Sequence, residues 1–293
     1  MAGRIADAGR PAPNGRDDMI LSCSANTLRF ADLSTRVSAA AAAGFRGIGL
    51  RLSDYLSAEL SDAEIRDLLD RHDVRVLELE HTWDWALGED PAEEAMFGLA
   101  DRIGVQHLNV PMFDAHPLGD LVEPFAALCD RAARHDVLVG FEFLPYSHVR
   151  TIGEVWQVVS TASRPNGGIT FDLWHWFRSG GRPADLADVP AAAIVTVQLC
   201  DVRPEPAPDL MDEGRHHRLL PGHGTGDTAG ALRALREHGV SAPVSVEVFS
   251  DDLDTHPAAD AARLAFDAGA AVLAAADVAP PSWARPGTAL EER

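Results

Sequence analysis

Leu138-Val139-Gly140-Phe141-Glu142-Phe143 is an apolar run broken by one carboxylate. Three later runs also carry a polar side chain near the end, a carboxylate in two and an amide in one: Gly168-Ile169-Thr170-Phe171-Asp172, Ile194-Val195-Thr196-Val197-Gln198 and Val244-Ser245-Val246-Glu247-Val248. A charge inside an apolar strand is costly unless it is paired, protonated or bound to a metal. The first two intervals each hold one strand-helix-strand unit, and the last takes in a long excursion over residues 201–226. Polar groups at the ends of neighbouring parallel strands converge on one site, and a divalent cation is the simplest species that holds several carboxylates together.

Working outward from these runs, eight strand-like segments alternate with helical ones. The strands are Ile20–Ala25, Gly47–Leu52, Val74–Glu80, Val105–Val110, Val137–Phe143, Ile169–Asp172, Ala192–Cys200 and Val244–Phe249. The helical segments are Asp32–Ala43, Ser57–His72, Pro91–Ile103, Leu118–His135, Ile152–Ala162, short pieces within 174–189, Thr228–His238 and Pro257–Ala275. Asp32 or Ser34 is placed to cap the first helix and Gly44 to stop it, while Ser61-x-x-Glu64 reads as a capping box. Several strands are continuously apolar, as strands covered on both faces are. Eight βα units in about 250 residues match a single (β/α)8 TIM barrel, whose chemistry sits at the C-terminal ends of the strands. A doubly wound sheet competes, but no GxGxxG follows the first strand. The expected organisation is a disordered leader over 1–18, one barrel domain over 19–278 and a flexible tail over 279–293.

The formal net charge of −20 argues against a nucleic-acid partner. Three cysteines without CxxC spacing do not form a disulfide framework, so a reducing, cytoplasmic setting is expected. No signal peptide and no membrane-length apolar stretch is visible. Homo-oligomerisation is left open.

Five motifs occur in order: Phe141-Glu142-Phe143, Asp172-Leu173-Trp174-His175, Val197-Gln198-Leu199-Cys200-Asp201, Leu220-Pro221-Gly222-His223-Gly224 and Val246-Glu247-Val248-Phe249. Over about residues 19 to 275 the chain resembles the xylose-isomerase-like TIM barrel superfamily, in its sugar phosphate isomerase/epimerase branch. The resemblance implies one divalent metal bound by Glu142, Asp172, a seventh-strand histidine and Glu247. Here the seventh-strand position is Gln198. Its amide oxygen can ligate, and an all-oxygen set leans to Mn²⁺ or Mg²⁺ over Co²⁺ or Zn²⁺. Alternatively Gln198 binds a water, or the barrel is a metal-free binding module.

The resemblance further gives Glu142 and Glu247 as both ligands and proton carriers, and His175 as a substrate contact or acid/base, against a plain loop histidine. It makes Arg203 a substrate-anchoring guanidinium, against a surface arginine on the excursion. His81 opens a loop that also carries Trp83 and Trp85, and His107 lies in the fourth strand. Both are candidate substrate contacts, as is Trp174. Trp83, Trp85, Trp174 and Trp176 follow strand ends and can stack on a ring or pack the rim.

The chemistry that follows is polarisation of a hydroxyketone, removal of its α-proton and an enediolate. The leading expectation is a metal-dependent isomerase or epimerase of a sugar or polyol. A lyase acting on an inosose, a dehydroshikimate-like acid or a keto-glycoside shares the first step. An apurinic endonuclease is disfavoured by the acidity of the chain.

Overall fold

The apolar runs close on themselves. In the computed structural model, which describes residues 20–82 and 84–277, eight parallel strands form a closed barrel in sequence order. They are β1 (Leu21–Cys23), β2 (Gly47–Arg51), β3 (Arg75–Glu80), β4 (His107–Val110), β5 (Leu138–Glu142), β6 (Gly167–Asp172), β7 (Ile194–Leu199) and β8 (Val244–Val246). The helices are α1 (Leu33–Ala43), α2 (Leu52–Ser57), α3 (Asp62–His72), α4 (Glu93–Ile103), α5 (Val122–Ala132), α6 (Ile152–Ala162), α7 (Leu173–Arg178), α8 (Leu210–His216), α9 (Thr228–Glu237), α10 (Asp251–Asp254) and α11 (Ala258–Ala275). The barrel is the expected (β/α)8 architecture. The expected leader and tail, and Trp83, lie outside the described residues.

Local chemistry sets the element ends. Asp32, not Ser34, caps α1 by accepting from the Thr35 backbone N–H. Gly44 ends α1 at φ +121°, and a Cβ there would meet the Phe266 ring at 2.6 Å. The Ser61–Glu64 capping box forms as expected, and it splits the anticipated Ser57–His72 helix. Ser61 must be extended to cap, so α2 stops at Ser57 and α3 starts at Asp62. The 201–226 excursion also differs from a plain loop. It contains α8, capped by Asp209.

The core lies between the barrel wall and the helices. Leu21, Val37, Ile48, Phe125, Val139, Phe141, Ile169, Val197 and Val246 are fully buried members of it. Cys23, Cys129 and Cys200 are buried free thiols within that layer. Trp85 joins it too: its Nε1 donates to the Pro111 carbonyl at 2.9 Å and its ring packs edge-on to Phe125 and Phe141. Trp176 packs on Phe171. Both rings therefore serve the core instead of forming a wall at the mouth. Among the described residues no helix is long and apolar enough to cross a membrane.

Candidate active site

Strand register delivers the polar groups to one end of the barrel. Glu80, Glu142 and Asp172 are the last residues of β3, β5 and β6. Asp172 pairs in register with Gln198 on β7, and Gln198 with Ser245 on β8, two residues before Glu247. Glu80 pairs with Asn109 on β4. Side chains alternate along a strand, so Glu78 shares the inward face of β3 with Glu80. The result is five buried carboxylates at the C-terminal mouth: Glu78, Glu80, Glu142, Asp172 and Glu247.

Contacts tie them into one network. Glu142 Oε2 accepts from Asn109 Nδ2 at 3.1 Å, and Glu142 Oε1 lies 3.3 Å from His175 Nε2. Asp172 caps α7 by accepting from the His175 backbone N–H at 2.9 Å, which fixes His175 one turn beyond the strand. Glu247 Oε1 accepts from Ser24 Oγ at 3.1 Å, from Asn26 Nδ2 at 3.2 Å and from Gln198 Nε2 at 3.2 Å. Asn26 also donates to Glu80 at 3.0 Å.

The positive partner is Arg218, a residue that the sequence reading did not select. Its Nη1 donates to Asp172 Oδ2 at 2.6 Å and to Glu247 Oε2 at 3.0 Å, while Nη2 is 3.4 Å from His175 Nε2. The guanidinium lies over the Trp174 and Phe249 rings. Arg218 reaches the site because the excursion folds back: Asp201 bridges Leu219 and His217 bridges Ser250 in antiparallel fashion. The expected anchor Arg203 is exposed instead, and its carbonyl accepts from Arg178. Its local sequence, an arginine before Leu219-Leu220 on a long loop, does not mark it.

The remaining candidates divide. His175 is at the centre, buried. His81 is half-buried at the rim, its Nδ1 3.2 Å from Glu80. His107 starts β4 and so lies deeper in the barrel, with Nε2 3.4 Å from Glu78 Oε2. Trp174 is fully buried, with Gly214 of α8 packed against its ring. It lies tilted to Tyr146 and edge-on to His175 and backs the site from behind.

Burial and mutual repulsion dominate the electrostatics. Burial pushes Glu247 well above the usual carboxylate range, against the pull of Arg218. Burial, followed by the charges of Glu80, Glu247 and Glu142, does the same to Glu78. Asp172 stays below the usual range: burial works against its charge, but Arg218 and His175 outweigh it. Burial takes His107 down to about 4, so its ring is neutral at pH 7.

Two triads present ligand atoms close enough for a cation: Glu142, Asp172 and His175, and Glu78, Glu80 and Glu247. Gln198 Nε2 donates to two members of the second triad, while its Oε1 is buried without a hydrogen-bond partner among the described residues. Five carboxylates against one contacting guanidinium, with an amide oxygen left bare, form a donor set that fits a hard divalent ion.

The model of the xylose isomerase-like TIM barrel family matches residues 37–273. The chain belongs to that family. A 3-dehydroshikimate dehydratase of Pseudomonas putida is 30% identical over 237 residues, 77% of this chain and 37% of the relative. The chain thus spans well under half of that protein. An inosose isomerase of Halalkalibacterium halodurans is 29% identical over 174 residues, covering 55% of this chain and 61% of the relative. Among solved structures, the IolI protein with a bound zinc atom superposes with a TM-score of 0.78 at 22% identity, over 87% of this chain and 98% of that one. The relatives that the chain matches are thus enzymes, a dehydratase and an isomerase.

Proposed function

We propose that the barrel is a metal-dependent lyase that removes water from a cyclic hydroxyketone acid, with 3-dehydroshikimate as the test substrate. The observation that carries the reading is the position of His175 between Glu142 and Arg218, at 3.3 and 3.4 Å. Epimerisation or isomerisation needs carboxylates that move one proton. Elimination also needs a donor for the departing hydroxyl, and His175 is a third proton carrier at the same mouth. Arg218 adds a planar guanidinium suited to a substrate carboxylate. Similarity to the dehydratase over three quarters of the chain supports the same choice.

In this reading Glu142, Asp172, Gln198 and Glu247 hold the cation through oxygen, which favours Mg²⁺ or Mn²⁺. When bound, such an ion supplies Lewis-acid polarisation of the substrate carbonyl. Glu247 takes the α-proton. The C–H electron pair becomes the new carbon–carbon double bond as the β-carbon–oxygen bond breaks. His175 donates to the leaving hydroxyl, which departs as water. Arg218 holds the substrate carboxylate, Asn109 holds Glu142, and Trp174 and Tyr146 keep bulk water from the back of the site. Loss of one water from 3-dehydroshikimate, followed by tautomerisation, leaves a dihydroxybenzoate.

The test is direct. Chelator-stripped protein is mixed with 3-dehydroshikimate, Mn²⁺ is added, and the aromatic absorbance of the product is followed. Growth of that band after the metal, and about a 10²–10⁴-fold loss in Glu247→Gln, is expected. A second reading, isomerisation of an inosose, is favoured by the placement of Glu142 at the end of β5 and Glu247 just past β8, and by the isomerase relative. No aromatic product, together with turnover of an inosose, would replace the first reading by the second.

A further inference from the structure

Gln198 is a two-ended side chain, and only one end has partners. Its Nε2 donates to Glu78 Oε2 at 3.0 Å and to Glu247 Oε1 at 3.2 Å, while its Oε1 is buried and bare. An amide ligand has a problem that an imidazole does not. Rotation by 180° about its last bond exchanges an acceptor for two donors, and a donor facing a cation repels it. Something must therefore fix the flip, and Glu247 cannot do so alone if its oxygens are given to a metal.

We propose that Glu78 is the positioning residue for Gln198: its carboxylate anchors the amide nitrogen and so presents Oε1 as a cation ligand. This rests on the metal-site reading above. Three features of the structure support it. Glu78 Oε2 also faces His107 Nε2 at 3.4 Å, so the oxygen that meets Gln198 lies between two nitrogens. Glu78 is fully buried, so water does not compete for Gln198. The strand beside it makes room: Gly49 on β2 lies where a Cβ would come within 3.3 Å of Glu78 Oε1 and 2.7 Å of the Ala25 backbone N. A ligand held by a hydrogen-bonded partner beyond it is the usual architecture of metal centres, and loss of such a partner typically lowers metal affinity about 10–100-fold.

The alternative is that Glu78 matters through its charge alone. A cycle of variants separates the two. Mn²⁺ affinity is measured by calorimetric titration of chelator-stripped protein for the wild type, Glu78→Met, Glu78→Gln, Gln198→Ala and the double variant Glu78→Met/Gln198→Ala, with far-UV circular dichroism to confirm folding. Glu78→Met is expected to weaken Mn²⁺ about 10–100-fold. Glu78→Gln, which keeps a carbonyl oxygen for both Gln198 and His107 but no charge, is expected to retain most of the affinity. In the Gln198→Ala background, Glu78→Met is expected to change affinity less than about threefold, because the group it acts through is gone. Additive losses in the double variant, or a Glu78→Gln loss equal to that of Glu78→Met, would overturn the positioning role while leaving the metal site standing. Failure of the wild type to bind Mn²⁺ would overturn the metal site and this inference with it.

Discussion

Arg218 Nη1 holds Asp172 and Glu247 together, and the two carboxylates in turn make its burial tolerable. Replacing it by methionine leaves two buried acids without their cationic partner. Chemical denaturation of the chelator-stripped Arg218→Met protein should show a loss of about 3–5 kcal/mol, as for a buried pair broken on one side. Added divalent metal should return part of it. A change within about 0.5 kcal/mol, typical of a surface substitution, would show that the guanidinium is not part of the network. The raised carboxyls give a second expectation. For Glu78 and Glu247, a folded pKa above the unfolded value means a stabilising contribution fully present below about pH 4.5 and lost as pH rises through the folded values. The metal-free protein should therefore lose stability from about pH 5 upward, and divalent affinity should rise over the same range as the protons leave. Melting curves with and without Mn²⁺ at several pH values read both; affinity falling with pH would contradict the assignment. The sequence marked Glu142, Asp172, Gln198 and Glu247 because each interrupts an apolar run. Glu78 was not among them: it shares the face of Glu80, but Leu77-Glu78-Leu79-Glu80 reads as ordinary alternation and hides a fully buried acid. Arg218 was hidden for another reason: nothing local says that a loop arginine will be folded into the mouth.

At the scale of elements, the 201–226 excursion completes the site. Its turn is built on Asp201, whose carboxylate accepts from the backbone N–H groups of Val202 at 2.7 Å, Gly224 at 3.0 Å and Gly226 at 2.9 Å. Gly224 packs so closely that a Cβ would lie 2.2 Å from the Val202 carbonyl oxygen. Its other end, α8, is pinned by Glu213, which accepts from Arg178 Nε at 2.8 Å and from the Ala207 backbone N–H at 2.6 Å. Asp201→Ala strands three buried or half-buried donors, so it should destabilise the protein by about 1–3 kcal/mol and speed protease cleavage within the excursion. Turnover should fall with it, since Arg218 rides on the same segment; unchanged cleavage and turnover would show that the turn does not support the site. The regular elements were readable because their caps and periods are local: Asp32, Ser61 and Gly44 each act within one turn of their helix. The excursion was not, since α8 and the bridges Asp201–Leu219 and His217–Ser250 depend on tertiary pairing.

Across the whole molecule, the closed parallel barrel turns sequence order into spatial convergence. Residues from β3, β5, β6, β7 and the end of β8 meet at one mouth because every strand runs the same way. That convergence concentrates negative charge that a protein of formal net charge −20 does not need for its fold. The proposed cation would give it a purpose. Calorimetric titration of Mn²⁺ into chelator-stripped protein, beside a Glu142→Gln/Asp172→Asn double variant that circular dichroism shows to be folded, tests this most directly. The expected result is about one ion per wild-type chain, with affinity at least about 100-fold weaker in the double variant, as loss of two ligands from a hard-cation site requires. Equal binding by both proteins, or none by the wild type, would contradict it.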